Sequence, residues 1–289
     1  RVAPADPAFP GLPEPADVET PERAFASTRA FDATKRAEAV RAIIEPSLAA
    51  GLTAAGKVRS AEHTMAVANS HGVDVGMAIT GVQATVLAAG KTGSGWASFL
   101  GADSDELDAA ALGAEAADIA VRSADPVDLE PGTYPVVLAA EAVADILDFL
   151  AYVGFSAKAY EEGRSFMSNR LEDQIFNEYV NITDHALAPH AMGFTFDYEG
   201  MPKRRVPLID QGIALMPVTD SYWAVKSGWY NTGHALPAPN QWGPMPLNLE
   251  MSPGEDTLEG LIGKVERGVY VTRFHYVNVE DPVPVTLTG

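Results

Sequence analysis

The sequence predicts an α+β protein: an N-terminal lobe of mainly antiparallel sheet with packed helices, then a strand-dominated C-terminal lobe of sandwich or barrel type. Three observations point there. Apolar side chains recur at helical spacing in Ala37, Val40, Ile43 and Ile44, and again in the alanine-rich run from Asp103 to Ala124. Between these runs, Leu52 to Leu100 is rich in Gly, Thr, Val and Ala and alternates every two residues in Val73-Asp74-Val75-Gly76-Met77-Ala78. Beyond Gly163, hairpin-type turns replace helical patterns.

Taken in order, residues 1 to 30 form a proline-rich extended arm, with prolines at 4, 7, 10, 13, 15 and 21 and few large apolar side chains. The N-terminal lobe spans 31 to 132. Asp32 or Thr34 caps its first helix, which ends near Gly51, and three to five antiparallel strands follow, with a turn at Asn69-Ser70-His71-Gly72. A second helix lies across that sheet, acidic at its start and closed by Arg122. The C-terminal lobe spans 133 to 289. After the turn Glu130-Pro131-Gly132 it opens with a short strand from Tyr134 to Leu138 and a helix from Ala139 to Val153. Strands are expected over Phe194 to Gly200 and over Val206 to Leu215, the latter broken by the turn Asp210-Gln211-Gly212, with short helices near Ser221 to Lys226 and Thr257 to Val265. Both ends read as breaks in a longer protein.

Charge narrows the partners. The 289 residues carry 39 acidic against 20 basic side chains, a formal charge of −19, so the surface repels phosphate backbones and anionic lipids. Nucleic acid and membrane are not expected partners; the apolar runs fall short of the roughly 20 residues a spanning helix needs. Zero cysteines exclude thiolate nucleophiles and thiolate metal sites and fit a reducing cytoplasm.

Catalytic constellations are few. No phosphate-cradling glycine loop, serine elbow or paired helical histidines are present. Glu141 and Asp145 stand four apart on one helix face, where two carboxylates bind a hard cation or form a solvated acidic face. His63, His71, His185 and His190 read as isolated residues. His234 differs, because Asn231-Thr232-Gly233-His234-Ala235-Leu236-Pro237 is a glycine-containing loop ahead of a proline and tryptophan cluster, the kind of segment that forms binding rims. Trp223, Trp229, Tyr230 and Trp242 suit either a peptide groove or subunit interface, or core packing.

Four motifs in order carry a resemblance: Glu162-Gly163-Arg164-Ser165-Phe166, Phe196-Asp197-Tyr198-Glu199-Gly200, Leu208-Ile209-Asp210-Gln211-Gly212 and Asn231-Thr232-Gly233-His234-Ala235, with Ala68-Asn69-Ser70-His71-Gly72 ahead of them. From about residue 30 onward the chain resembles the TldD/PmbA family, once described as modulators of DNA gyrase and now as cytoplasmic peptidase subunits. In the TldD branch a His-Glu-x-x-x-His motif follows the strand entering the second lobe. Its histidines bind zinc and its glutamate is the general base. Here the strand is Pro135-Val136-Val137-Leu138, and the matching positions read Ala140-Glu141-Ala142-Val143-Ala144-Asp145. Glutamate stays and both histidines are gone.

The resemblance therefore implies the TldE/PmbA branch: a non-catalytic subunit without metal or cofactor that pairs with a TldD-like zinc peptidase and helps enclose unfolded or small peptides. A homodimer is the other assembly to weigh. Partner or substrate contact is expected from Asn231, Gly233 and His234, bracketed by Trp229, Tyr230 and Trp242, while Ala140, Glu141 and Asp145 are the remnant of the emptied motif. Two readings compete: a stand-alone hydrolase using Glu141, Asp145 and His234, and a peptide-binding module with no hydrolase attached.

Overall fold

The computed structural model describes residues 6–288, so part of the expected arm, residues 1–5, lies outside the described residues. The chain divides into two compact units. One comprises residues 20–65 and 76–131, the other residues 1–19, 66–75 and 132–289.

The smaller unit holds helix α1 (Ala26–Arg29) and helix α2 (Ala33–Ala49), whose N-terminus is capped by Asp32 accepting from Thr34 N and Lys35 N. Strands β1 (Thr53–Ala68), β2 (Asp74–Ala89) and β3 (Ser94–Gly101) form a sheet in that order, within the three to five strands expected. β2 and β3 run antiparallel, from Val82 opposite Gly101 to Ala89 opposite Ser94. Alternation buries Val82, Ala84, Val86 and Ala88 on one face. Helix α3 (Ala109–Arg122), capped by Asp108, lays Leu112, Gly113, Ala116, Ala117 and Ala120 inward. These small residues let α3 approach closely: a Cβ on Gly95 of β3 would stand 2.0 Å from Ala116 O, and one on Gly113 2.1 Å from Ile43 O of α2.

The larger unit begins with strand β4 (Val136–Leu138) and helix α4 (Ala140–Val153), as the periodicity predicts. Helix α5 (Ala157–Glu161), strands β5 (Ile182–Asp184), β6 (Val206–Asp210) and β7 (Ile213–Ala214), helix α6 (Ser221–Ser227), strand β8 (Leu249–Met251), helix α7 (Leu258–Gly263) and strands β9 (Val269–Val271), β10 (Asn278–Asp281) and β11 (Thr286–Thr288) complete it. Its core gathers Leu150, Val153, Phe155, Phe166, Met167, Ile182, Leu208 and Val218. The α+β class stands, and the described strands close no barrel. They fall into an antiparallel sheet ordered β7-β6-β5-β8, a β10-β11 pair and a parallel β4-β9 pair.

The strand expected over Phe194 to Gly200 is absent for a local reason. Asp197 Oδ1 accepts from Glu199 N and Met201 N, each at 2.9 Å, folding the segment into a side-chain-capped turn. Phe196 keeps one bridge, to Pro202. Of the expected arm, residues 26–29 form α1 and residues 6–25 carry no helix; Asn69 Nδ2 donates to Pro13 O at 2.8 Å and Tyr222 OH to Asp6 Oδ2 at 3.0 Å. No helix among the described residues is long and apolar enough to cross a membrane.

Candidate functional site

Helix α4 starts where strand β4 ends, and the Ala139 amide donates to Val271 O at 2.9 Å, fixing the helix entry beside β9. Glu141 lies exposed in its first turn. One helical turn on, Asp145 Oδ2 accepts from Phe274 N at 3.3 Å, so this carboxylate is engaged with backbone. The two acids share a face as the spacing predicts, but only Asp145 has a fixed contact.

The next turns of α4 wall a cleft of about 530 Å3. Ala144, Leu147, Asp148 and Ala151 supply one side, and residues 185–193 and 245–250 the others. Its floor is apolar and its polar groups are few, as in a site that takes a ligand with a mostly nonspecific body. Burial, and then the charge of Asp145, raise the Asp148 carboxyl above its ordinary range. His190 Nε2 stands 3.3 Å and His185 Nδ1 4.0 Å from Glu250 Oε2. Neither contact is aligned as a hydrogen bond: Glu250 Oε2 and Asn248 Nδ2 are both buried without one. Both atoms are sealed within the wall, so their hydrogen-bonding capacity is unmet there. Gly193 is needed here, since a Cβ would sit 2.6 Å from Asn248 Oδ1. Sequence reasoning missed this cleft, for which His185 and His190 looked like isolated histidines.

The loop at 231–237 is built differently from its expected role. His234 is fully enclosed, with Nε2 2.9 Å from Asp184 Oδ1 and Nδ1 2.9 Å from Thr232 Oγ1. A carboxylate only accepts, so Nε2 carries the proton toward Asp184, while Nδ1 faces Thr232 Oγ1, whose own proton goes to Thr219 O at 2.9 Å. Burial pushes the Asp184 carboxyl up, but His234, Lys203 and the Asn248 amide outweigh it and hold it below the ordinary value. Lys203, also buried, is lowered by burial against the charges of Asp184 and Asp197. Burial pushes Asp197 up to about 6, although Ala235 N, Met201 N and Glu199 N all donate to it.

This buried network reaches the cleft through backbone. Asp184 Oδ2 accepts from Asn248 N at 2.7 Å, and His234 O from Met245 N at 3.1 Å. Asn248 and Met245 both line the cleft, so His234 stands behind its wall. Asn231 ties the loop: its Oδ1 accepts from Gly233 N at 2.8 Å and its Nδ2 donates to Ser221 Oγ at 2.9 Å. Gly233 has φ +75°, and a Cβ there would meet Pro202 O at 2.2 Å.

The aromatic bracket separates. Trp229 packs on Tyr160 with ring centroids 5.3 Å apart. Trp242, 42% exposed, packs with its ring tilted 52° and centred 5.0 Å from that of Tyr152, which lines the cleft beside α4. Tyr230, 54% exposed, belongs to a second cleft and lies under the Arg204 guanidinium. None of the six residues expected at the rim lines the α4 cleft; Trp242 touches its lining through Tyr152 and His234 through Met245. Among the described residues, no group of three or more His, Cys, Asp or Glu side chains is placed to hold a metal ion.

Residues 131–288 match the family model for the PmbA/TldA metallopeptidase C-terminal domain, and residues 13–124 that for its central domain. A metalloprotease TldD homolog from Buchnera aphidicola is 28% identical over 163 residues, 55% of this chain and 34% of that protein. A zinc metalloprotease TldD homolog from Saccharolobus solfataricus is 28% identical over 48% of this chain and 32% of its own length. The matches thus span about a third of the curated relatives' length. Among solved structures, TldE from Thermococcus kodakarensis is similar with a TM-score of 0.81 at 20% identity, covering 97% of this chain and 66% of that one. A Thermotoga maritima protein described as a candidate modulator of a DNA gyrase gives 0.84 at 21% identity over 92% and 62%. At these identities the structures speak for the fold, and the two family models, which together span most of the sequence, place the chain in the PmbA/TldD metallopeptidase family.

Proposed function

We propose that this chain is a TldE/PmbA-like subunit without its own zinc, which pairs with a TldD-like metallopeptidase and holds unfolded or small peptides for it. One observation carries the reading. The helix that follows the entry strand keeps its place and its glutamate, Glu141, but presents Ala140 and Asp145 where the metal-binding motif needs imidazoles. Without a Lewis acid there is no activated water, so the chain contributes binding alone. The cleft beside α4 supplies it: a mostly apolar lining and the exposed Tyr152–Trp242 pair at its edge. His234, Asn231 and Gly233 act on this cleft by positioning Asn248 and Met245.

A stand-alone hydrolase built on Glu141, Asp145 and His234 finds less support, because Asp145 is bound to the Phe274 amide and His234 is enclosed. Zero cysteines suit a cytoplasmic site of action.

The test combines the full-length protein with a TldD-type partner and an unstructured peptide. Cleavage is expected only from the mixture, with zinc in the partner, the two proteins co-eluting on gel filtration, and the Asn248→Ala variant raising KM more than it lowers kcat. Full cleavage by the partner alone, unchanged by adding this chain, rules the reading out, as does a homodimer that ignores the partner.

A further inference from the structure

The second cleft, of about 650 Å3, has a chemistry unlike the rest of this acidic chain. Three consecutive cations, Lys203, Arg204 and Arg205, line it. None forms an ion pair within 4.0 Å among the described residues, although acids outnumber bases 39 to 20. Lys203 is only 7% exposed, yet its ammonium donates no hydrogen bond to the chain and its Nζ is not among the sealed unsatisfied atoms. The charges of Asp184 and Asp197 offset the ammonium without a hydrogen bond, so its donors remain open to an acceptor in the cleft it lines.

The arginines are set for the same task. Arg204 is held by one bond, Nε to Asn231 O at 3.2 Å, and by the Tyr230 ring 5.7 Å away, which leaves its terminal N–H groups free. Arg205 makes no side-chain hydrogen bond, ion pair or ring contact among the described residues. Two guanidinium forks and one point charge match the three oxygens of a phosphate monoester better than the two of a carboxylate.

Asp17 and Glu19 line the same cleft, with Leu187 and Pro202 as its apolar members. Carboxylates accept from hydroxyls, as they do from ribose in nucleotide sites. The same two charges repel a chain of phosphates, as does the field of a −19 protein. We infer that this cleft binds a sugar phosphomonoester, with phosphate on Lys203, Arg204 and Arg205 and sugar hydroxyls on Asp17 and Glu19. The site is distinct from the peptide cleft and does not depend on the subunit reading.

Calorimetric titration of the purified chain with ribose 5-phosphate, ribose, inorganic phosphate and a polyglutamate peptide tests it. Ribose 5-phosphate should bind about tenfold or more tightly than either of its halves, and Arg204→Ala and Arg205→Ala should each weaken it about tenfold, the loss of a charge-assisted bidentate pair. Both arginines are exposed, so these variants should keep the parent's thermal melt, which Lys203→Met need not. Absence of ribose 5-phosphate binding at millimolar concentration overturns the proposal. So does binding unchanged in both arginine variants, inorganic phosphate binding as tightly as the ester, or polyglutamate binding more tightly, which would assign the cleft to an acidic protein partner.

Discussion

A histidine with no exposed side-chain atom is a structural commitment, and its removal has a definite cost. Substituting alanine for His234 leaves Asp184 charged and short of its imidazole donor, and opens a void beside Thr232. Breaking such a buried pair costs about 3 kcal/mol or more, so His234→Ala should lower the urea midpoint markedly, while a surface change such as Tyr230→Ala should not. Asp220 offers a test through pH. Burial raises its carboxyl to about 6, as it does that of Asp197, above the ordinary 3.8. The folded state then holds these protons more tightly than the unfolded chain, so their contribution to stability is full below 3.8 and is lost as pH rises through about 6. Asp184, lowered, contributes in the opposite sense and is lost on acidification. Unfolding free energies measured from pH 4 to 7 should show a smaller decline in Asp220→Asn, which keeps the cap on Trp223 N but cannot ionise. His234 was legible as part of a special loop. Its burial was not, because its partner Asp184 lies 50 residues away and no local pattern links them.

Among the elements, close approach decides the outcome of a substitution where helix propensity points the other way. Alanine is about 1 kcal/mol better than glycine within a helix, so propensity alone predicts that Gly113→Ala stabilises α3. The Ile43 carbonyl, 2.1 Å from where that methyl would sit, forces α2 and α3 apart. Overpacking of this kind costs about 1–3 kcal/mol, and a net fall in thermal midpoint is the expected result. A rise would show that the helices yield. The helices α2, α3 and α4 were legible because their apolar spacing is written within one segment, as was the β1–β2 turn at Asn69 to Gly72. The sheet β7-β6-β5-β8 was not, since β5 joins β8 across some 65 residues and only three residues of each take part. The α4 cleft was hidden for the same reason: it forms where three distant segments meet.

For the molecule as a whole, side-chain burial is unevenly shared along the sequence. The core of the larger unit draws its buried members from residues 150–218. From Met251 to Thr288 no described side chain is buried, although β8's last residue, α7, β9, β10 and β11 all lie there. Their backbone bonds are thus made with little apolar cover, and Val285 even holds φ at +55°, which a β-branched residue rarely adopts. Regions with few buried contacts open at free energies well below that of global unfolding. Amide hydrogens of β9, β10 and β11 should therefore exchange with deuterium ahead of those in β5 and β6. Brief trypsin treatment should cut first at Lys264, Arg267 or Arg273, while the bond after Lys203, whose side chain is buried, survives. Equal protection across both sets would mean that another surface covers this stretch in solution.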